Sequence, residues 1–203
     1  MRLQPTCSAA LRKRLNRTVR RGALSLLEGD LPVFTELAIF EYHPAQWARF
    51  KSGELWAKWA RAYPDIFDPQ DVEIARNQAG PPNNYHWHEW LAAVLIYHAF
   101  GYLSLVEQYE FKIQKRKRAI LRELLANAAF SLVTDHVERF GRVQGPDLFV
   151  YSPDRSDWFF CEVKGPRDRL REVQIRYFEA LVAATGKDIR VVRFKGPKAT
   201  RPA

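Results

Sequence analysis

Between Leu148 and Phe194 the sequence permits few folds. Leu148–Tyr151 is a short apolar run, Ser152-Pro153-Asp154-Arg155-Ser156-Asp157 is a cluster of turn formers, and Trp158–Lys164 is a second apolar run closed by Gly165-Pro166. Two such runs joined by a turn read as a β-hairpin. Asp168 is placed to cap a helix reaching about residue 184, with Leu170, Val173, Tyr177 and Leu181 spaced along one buried face. Gly186 stops that helix, and Ile189–Phe194 supplies another strand. A hairpin, a crossover helix and a further strand predict an α/β core, a mixed sheet flanked by helices.

The rest of the chain is arranged around that core. Residues 1–21 carry seven basic residues (Arg2, Arg12, Lys13, Arg14, Arg17, Arg20, Arg21) and no acid, which suits either an arm that follows phosphates or a solvated tail. Residues 22 to about 78 read as helices joined by proline-containing turns. Trp47, Phe50, Trp56 and Trp59 recur there at roughly helical spacing and read as core rather than as base-stacking platforms. Gly80-Pro81-Pro82-Asn83-Asn84 is the clearest linker. It divides a basic arm and helical extension (1–80) from a core (85–196) that ends in a basic tail (197–203). Within the core, residues 87–100 form an apolar helix punctuated by Gly101, and residues 103–111 read as a strand. Residues 115 to about 133 read as one helix striped by Ile120, Leu121, Leu124 and Leu125. Lys115, Arg116, Lys117 and Arg118 crowd its first turn, where positive charge opposes the helix dipole, so they are expected to serve an outside ligand.

Composition narrows the partners. The chain has 203 residues, 47% apolar and 27% charged, which is globular composition rather than disorder. A net charge of +9 favours a polyanion, nucleic acid or an acidic membrane surface. No apolar run is long enough to span a bilayer, and the basic N-terminus lacks the apolar stretch of a secretory signal. Cys7 and Cys161 cannot supply a disulfide framework or a four-ligand zinc site by themselves. The expectation is a cytoplasmic (nucleoid-associated) or nuclear protein, not secreted and with no membrane partner.

The chemistry sits at the end of the second hairpin strand. Side chains alternate along a strand, so Phe160, Glu162 and Lys164 share one face while Phe159, Cys161 and Val163 share the other. Glu162 and Lys164 alone read equally well as a simple ion pair. Asp147 shifts the balance, because it opens the preceding strand and a hairpin sets that strand beside Glu162. Two carboxylates at a strand edge make a hard, oxygen-rich site suited to Mg²⁺ or Mn²⁺. With a lysine beside them they are minimal equipment for phosphodiester hydrolysis.

These residues carry a resemblance. Pro146-Asp147 followed by Glu162-Val163-Lys164 is similar to the PD-(D/E)xK pattern of the restriction-endonuclease-like superfamily. The longer string of Gly145-Pro146-Asp147-Leu148, then Glu162-Val163-Lys164-Gly165-Pro166, Asp168, Leu170 and Gln174, resembles the VRR-NUC subfamily. It is most like the C-terminal nuclease module of Fanconi-associated nucleases. The resemblance covers residues 144–194 and extends less surely back to Trp87. It implies a restriction-endonuclease-like core with an N-terminal helical extension, and metal ligands in Asp147, Glu162 and the Val163 carbonyl. Lys164 would be the catalytic lysine. It further implies a glutamate from the first core helix, for which Glu89 is the candidate and Glu123 the reserve. Gln174 would orient the lysine or the DNA backbone. Tyr177 stands where tryptophan is frequent and reads as packing. His86 and His88, two residues apart, fall on different sides of a helix and do not read as a zinc pair.

Arg167, Arg169, Arg171 and Arg176 follow the site, and nothing reads as base-edge recognition. Phosphate contacts position a substrate without specifying sequence. The expected function is therefore a divalent-metal-dependent DNA nuclease, selective for structured DNA such as flaps or junctions, in repair or recombination. Lys115, Arg116, Lys117, Arg118, Arg167 and Arg169 are its expected DNA contacts. Stand-alone relatives resemble dimeric junction resolvases, and paired incisions would require a homodimer. The alternatives are a non-catalytic nucleic-acid binder with the same fold, and a defence or toxin nuclease.

Overall fold

Strand alternation decides the centre of the molecule. A computed structural model describes residues 33–78, 86–106, 108–136, 140 and 145–196. Along the chain these form β1 (Phe34–Phe40), α1 (Pro44–Lys51), α2 (Glu54–Ala62), α3 (Pro69–Gln78), α4 (Trp87–Phe100) and β2 (Leu103–Leu105). There follow α5 (Lys115–Leu124), α6 (Asn127–Thr134), β3 (Leu148–Tyr151), β4 (Trp158–Lys164), α7 (Glu172–Thr185) and β5 (Ile189–Phe194). The strands make one mixed sheet in the order β1-β5-β4-β3-β2. β2, β3 and β4 are antiparallel neighbours, whereas β5 runs parallel to both β4 and β1. The helix α7 makes the parallel crossover from β4 to β5, as parallel neighbours require.

Each face of β4 packs against its own helical layer. Phe159, Cys161 and Val163 join a core with Trp87, Trp90 and Leu91 of α4, Leu55, Trp56 and Trp59 of α2, and Phe50 of α1. Phe160 joins the opposite core with Tyr177, Phe178 and Leu181 of α7, Ile120 and Leu121 of α5, and Phe130 of α6. The tryptophans of α2 are thus core, as their spacing predicts, and Trp47 packs against the same cluster. Aromatic rings mesh closely here. Trp90 stacks on Phe67 at a centroid distance of 4.2 Å, a geometry worth about 0.5–1.5 kcal/mol beyond burial.

Several boundaries differ from expectation. The segment read as purely helical begins with the strand β1, which pairs with β5. Its alternation is broken by a bulge between Glu36 and Ala38, and only Leu37 is fully buried, so neither period shows clearly in the sequence. Segments 34–78 and 86–196 therefore share one sheet and one core. The expected linker at Gly80–Asn84, the basic arm over 1–21 and the tail over 197–203 lie outside the described residues.

The strand expected over 103–111 ends at Leu105. Beyond it, Gln108 takes a positive φ of 47° and the chain turns, with the Phe111 N–H donating to the Gln108 carbonyl. The long helix expected over 115–133 is two, because Leu125 and Ala126 are extended. The break lets Phe130 turn beneath the Arg118 and Arg122 guanidiniums, 5.1 and 4.3 Å from its ring centre. Asp168 does not cap α7; Arg171 occupies the N-cap position. No described helix is long and apolar enough to cross a membrane.

Candidate functional site

The hairpin register places the first two site residues. Leu148 pairs with Cys161 and Phe149 with Phe160, so one further step sets Asp147 opposite Glu162. Asp147 Oδ2 accepts the Val163 N–H at 2.7 Å, closing the hairpin with a side chain where the ladder ends. Two positions along the same face of β4, Lys164 Nζ lies 2.6 Å from Glu162 Oε1. Gln174 of α7 donates Nε2–H to that same oxygen at 3.3 Å, while its Oε1 accepts the Arg171 N–H at 3.2 Å. The start of α7 and the end of β4 are tied together through one buried amide.

Glu162 is almost completely buried, and its Oε2 accepts no well-formed hydrogen bond, although the Asp147 carboxyl and N–H lie close enough to favour its charge. Leaving a buried acceptor unsatisfied costs roughly 1–3 kcal/mol, more when it is charged. A group left so in a folded core calls for a partner that the protein itself does not supply, such as an ion or a water.

Carboxyl groups outnumber cations in this corner. Burial pushes the Glu89 carboxyl up to about 7, the Glu162 and Asp168 charges push the same way, and Lys164 opposes them. Burial likewise raises Asp147 well above the usual range, helped by Glu162 and Glu89. Glu162 is raised by burial despite Lys164 beside it. Three acids from α4, the start of β3 and the end of β4 thus lie within electrostatic reach of one another and of one ammonium. Such an arrangement lacks positive charge, and a divalent cation is the usual remedy.

The donor set fits a hard cation, with oxygen donors throughout and one buried oxygen orphaned. Among the described residues, however, no three His, Cys, Asp or Glu side chains are drawn together into a cation cage. Lys164 and Val163 each hold one carboxylate oxygen instead.

This crowding has a stability signature. Glu89 ionises near 4.5 when unfolded and about 7 when folded, so its ionisation opposes folding. Stability is lost as pH rises through that window. Glu89→Gln is expected to stabilise the cation-free protein at pH 8 by about 2 kcal/mol, an increase of roughly 4–8 °C in Tm. The gain should vanish at pH 4.5. Melting curves in EDTA at the two pH values measure it, and an unchanged or lowered Tm at pH 8 contradicts the assignment.

The turn after β4 is tightly built. Gly165 N–H donates to Asp168 Oδ2 at 2.9 Å. A Cβ on Gly165 would lie 2.8 Å from that oxygen and 3.1 Å from the His88 ring. Asp168 and His88 therefore fix the chain just beyond Lys164, an arrangement that no local sequence signal gives away. The His88 ring packs on Phe194 at 5.0 Å, and its Nε2 is buried without a partner. Burial lowers its pKa while Asp168 opposes that shift.

Other expected site residues fall elsewhere. Glu123 pairs with Arg155 in the β3–β4 turn, at the far end of β4 from Lys164, so the reserve candidate is discarded. Cys161 lies in the opposite core, and Tyr177 is buried against His136. Arg167 and Arg169 are exposed just beyond Lys164, where a phosphate could reach them.

Within the Lys115–Arg118 cluster, Lys117 does not take the outward place expected of it. Lys117 is fully buried, bonded to Asp71 and to the Val106 carbonyl, and cannot meet DNA in this fold. Arg116 is held by Asp68 at 2.6 Å, and Arg118 donates to the Glu110 carbonyl. Of the four, Lys115 is exposed, and Arg116 and Arg118 are half-buried.

No protein-family model matches the chain, and no curated protein matches it.

Proposed function

We propose that this chain is a divalent-metal-dependent DNA nuclease of the restriction-endonuclease-like superfamily, with the motif string of its VRR-NUC members. The observation that carries the reading is the buried, unpartnered Glu162 Oε2 within a group of three acids and one lysine. The mixed sheet flanked by helices supports it, as does the register that sets Asp147 against Glu162.

Asp147 and Glu162 would hold Mg²⁺ or Mn²⁺, with Glu89 and the Val163 carbonyl as further donors. A bound divalent cation supplies charge for the scissile phosphate and acidifies a water. The chain's own residues do the rest. Lys164 places an ammonium where negative charge grows on the phosphate oxygens. Gln174 holds the Glu162 carboxylate in orientation through Oε1, beside the Asp147 carboxyl. Asp147, by accepting the Val163 N–H, fixes the backbone between Glu162 and Lys164. The exposed Arg167, Arg169, Arg171 and Arg176 would bind phosphates without reading bases, which favours selection by DNA structure, in repair or recombination. One site cuts one strand, so paired incisions would take two protomers.

A second reading, a non-catalytic binder, draws support from the closed Lys164–Glu162 pair, which leaves no carboxylate cage among the described residues. Labelled flap, junction, duplex and single-stranded DNA, incubated with Mg²⁺, Mn²⁺ or EDTA, separate the two. The nuclease reading expects metal-dependent cleavage that Asp147→Ala abolishes. Binding without cleavage of any substrate favours the binder, and cleavage that survives Asp147→Ala sinks the site assignment.

A further inference from the structure

Large apolar side chains exposed among the described residues are Ile39, Phe111 and Ile113. Ile39 lies on the edge strand β1. Phe111 and Ile113 share one turn between β2 and α5, 45% and 61% exposed, on either side of the exposed Lys112. A single exposed apolar side chain is ordinary on a surface, but here an aromatic and an isoleucine flank a lysine on one short turn.

Hydrogen bonds tie the turn together and join it to the segment before Asp147. Tyr109 is buried and donates its hydroxyl to the Pro146 carbonyl at 2.6 Å, one residue before Asp147. The Tyr109 phenol is close enough to Asp147 and Glu162 for their charges to raise its pKa, after burial as the main cause. Gln114 is buried at the other end of the turn. Between them, the Gln114 N–H donates to the Phe111 carbonyl, and Arg118 holds the Glu110 carbonyl. Phe111 is two residues from Tyr109, so their Cα atoms are no more than about 7 Å apart.

From this arrangement, and resting on the nucleic-acid reading above, we infer that Phe111 and Ile113 form a wedge that stacks on an unpaired base beside the scissile phosphate. The occupant is a nucleic acid with unstacked bases at the cut, such as a flap or a single strand next to a junction. Charge complementarity supports this choice over a protein or lipid. Lys112 and Lys115 are exposed on the turn and at the helix start beside it. A continuous duplex keeps its bases stacked and gives the wedge nothing to hold. The substrate preference of the site would then reside in this turn, and the arginines beyond Lys164 would supply affinity common to all DNA.

The test reads binding in EDTA, where cleavage plays no part. Flap DNA carrying 2-aminopurine at the first unpaired position is titrated with the whole chain, alongside a matched continuous duplex. Wild type should perturb the 2-aminopurine fluorescence and bind the flap about 10-fold more tightly than the duplex, within the 5- to 150-fold range typical of aromatic stacking on a base. Phe111→Ala should lose both the fluorescence change and the preference while binding duplex as before. Phe111→Trp should restore them.

The wedge is overturned by no DNA binding by wild type, an unchanged flap signal in Phe111→Ala, equal loss on flap and duplex, or failure of Phe111→Trp to rescue. It is also overturned if sedimentation shows a wild-type dimer that Phe111→Ala dissociates, or if Phe111→Ala abolishes binding to anionic vesicles, since the patch then serves another surface. Metal-dependent cleavage is scored separately. Fluorescence change without cleavage counts against the nuclease alone, and cleavage without fluorescence change counts against the wedge alone.

Discussion

Lys164→Ala is expected to lower the rate of DNA cleavage by about 100- to 1,000-fold, the usual loss when one preorganised charge facing the transition state is removed. The lysine is buried, and its Nζ is 2.6 Å from Glu162 Oε1. In such surroundings a charge is felt more strongly than in water and needs no reorganisation when the phosphate oxygens gain negative charge. Lys164→Arg should recover little, because a planar guanidinium cannot take the place of a compact ammonium held on one oxygen. A merely structural lysine would behave differently, with the rate loss following the fraction unfolded and arginine restoring part of it. Single-turnover rates at saturating DNA, set beside melting curves, distinguish these outcomes. A Lys164→Ala protein that is folded and cleaves within 5-fold of wild type contradicts the catalytic assignment.

The second large effect concerns stability. Lys117 and Asp71 are completely buried and bonded to each other. Lys117 also donates to the Val106 carbonyl, and Asp71 Oδ2 accepts the Asp68 N–H at 2.8 Å. The pair connects α3, in the layer on one face of the sheet, with α5, in the layer on the other, and reaches the chain just after β2. Burial pushes the Asp71 carboxyl up to about 6 even though Lys117 opposes the shift, a measure of how unfavourable the charge is there.

Lys117→Met leaves that carboxylate without its counter-ion and should cost about 3–5 kcal/mol. Asp71→Leu should cost a similar amount by stranding the ammonium. The double variant removes both charges and is expected to be more stable than either single one, which a double-mutant cycle in urea would show. Additive losses contradict the pairing. Per folded molecule, Lys117→Met should bind DNA as wild type does, in keeping with its removal from the expected DNA contacts.

These two lysines show what the sequence can reveal. Lys164 is legible because a strand has period 2, so Glu162 and Lys164 must share a face whatever lies around them. Asp147 follows once the turn at 152–157 makes the hairpin, since register then leaves one position opposite Glu162. Glu89 is an expensive charge at the start of an apolar helix, and its raised carboxyl is in keeping with that cost. Lys117 is different. A run of four cations on a helix looks the same whether it faces water or a buried acid, and its partner Asp71 is 46 residues away in the chain. β1 was hidden for a local reason, a bulge that shifts the register between Glu36 and Ala38. Asp168 looks like a helix cap by type and spacing, but its carboxylate is taken by Gly165 N–H, and Gln174 closes the helix start instead.

In the proposed reading, Glu162, Asp147 and Glu89 would together hold a divalent cation. Calorimetric titration of the whole chain with Mn²⁺ at pH 7, in two buffers of different ionisation enthalpy, tests it most directly. Because all three carboxyls are raised by burial in the cation-free protein, binding should release protons, and the measured heat should differ between the buffers. Wild type is expected to bind Mn²⁺ with this proton release, and Asp147→Ala to bind at least 10-fold more weakly, in line with the loss of a charged ligand. Absence of saturable binding by wild type, or binding that Asp147→Ala leaves intact, would contradict the account.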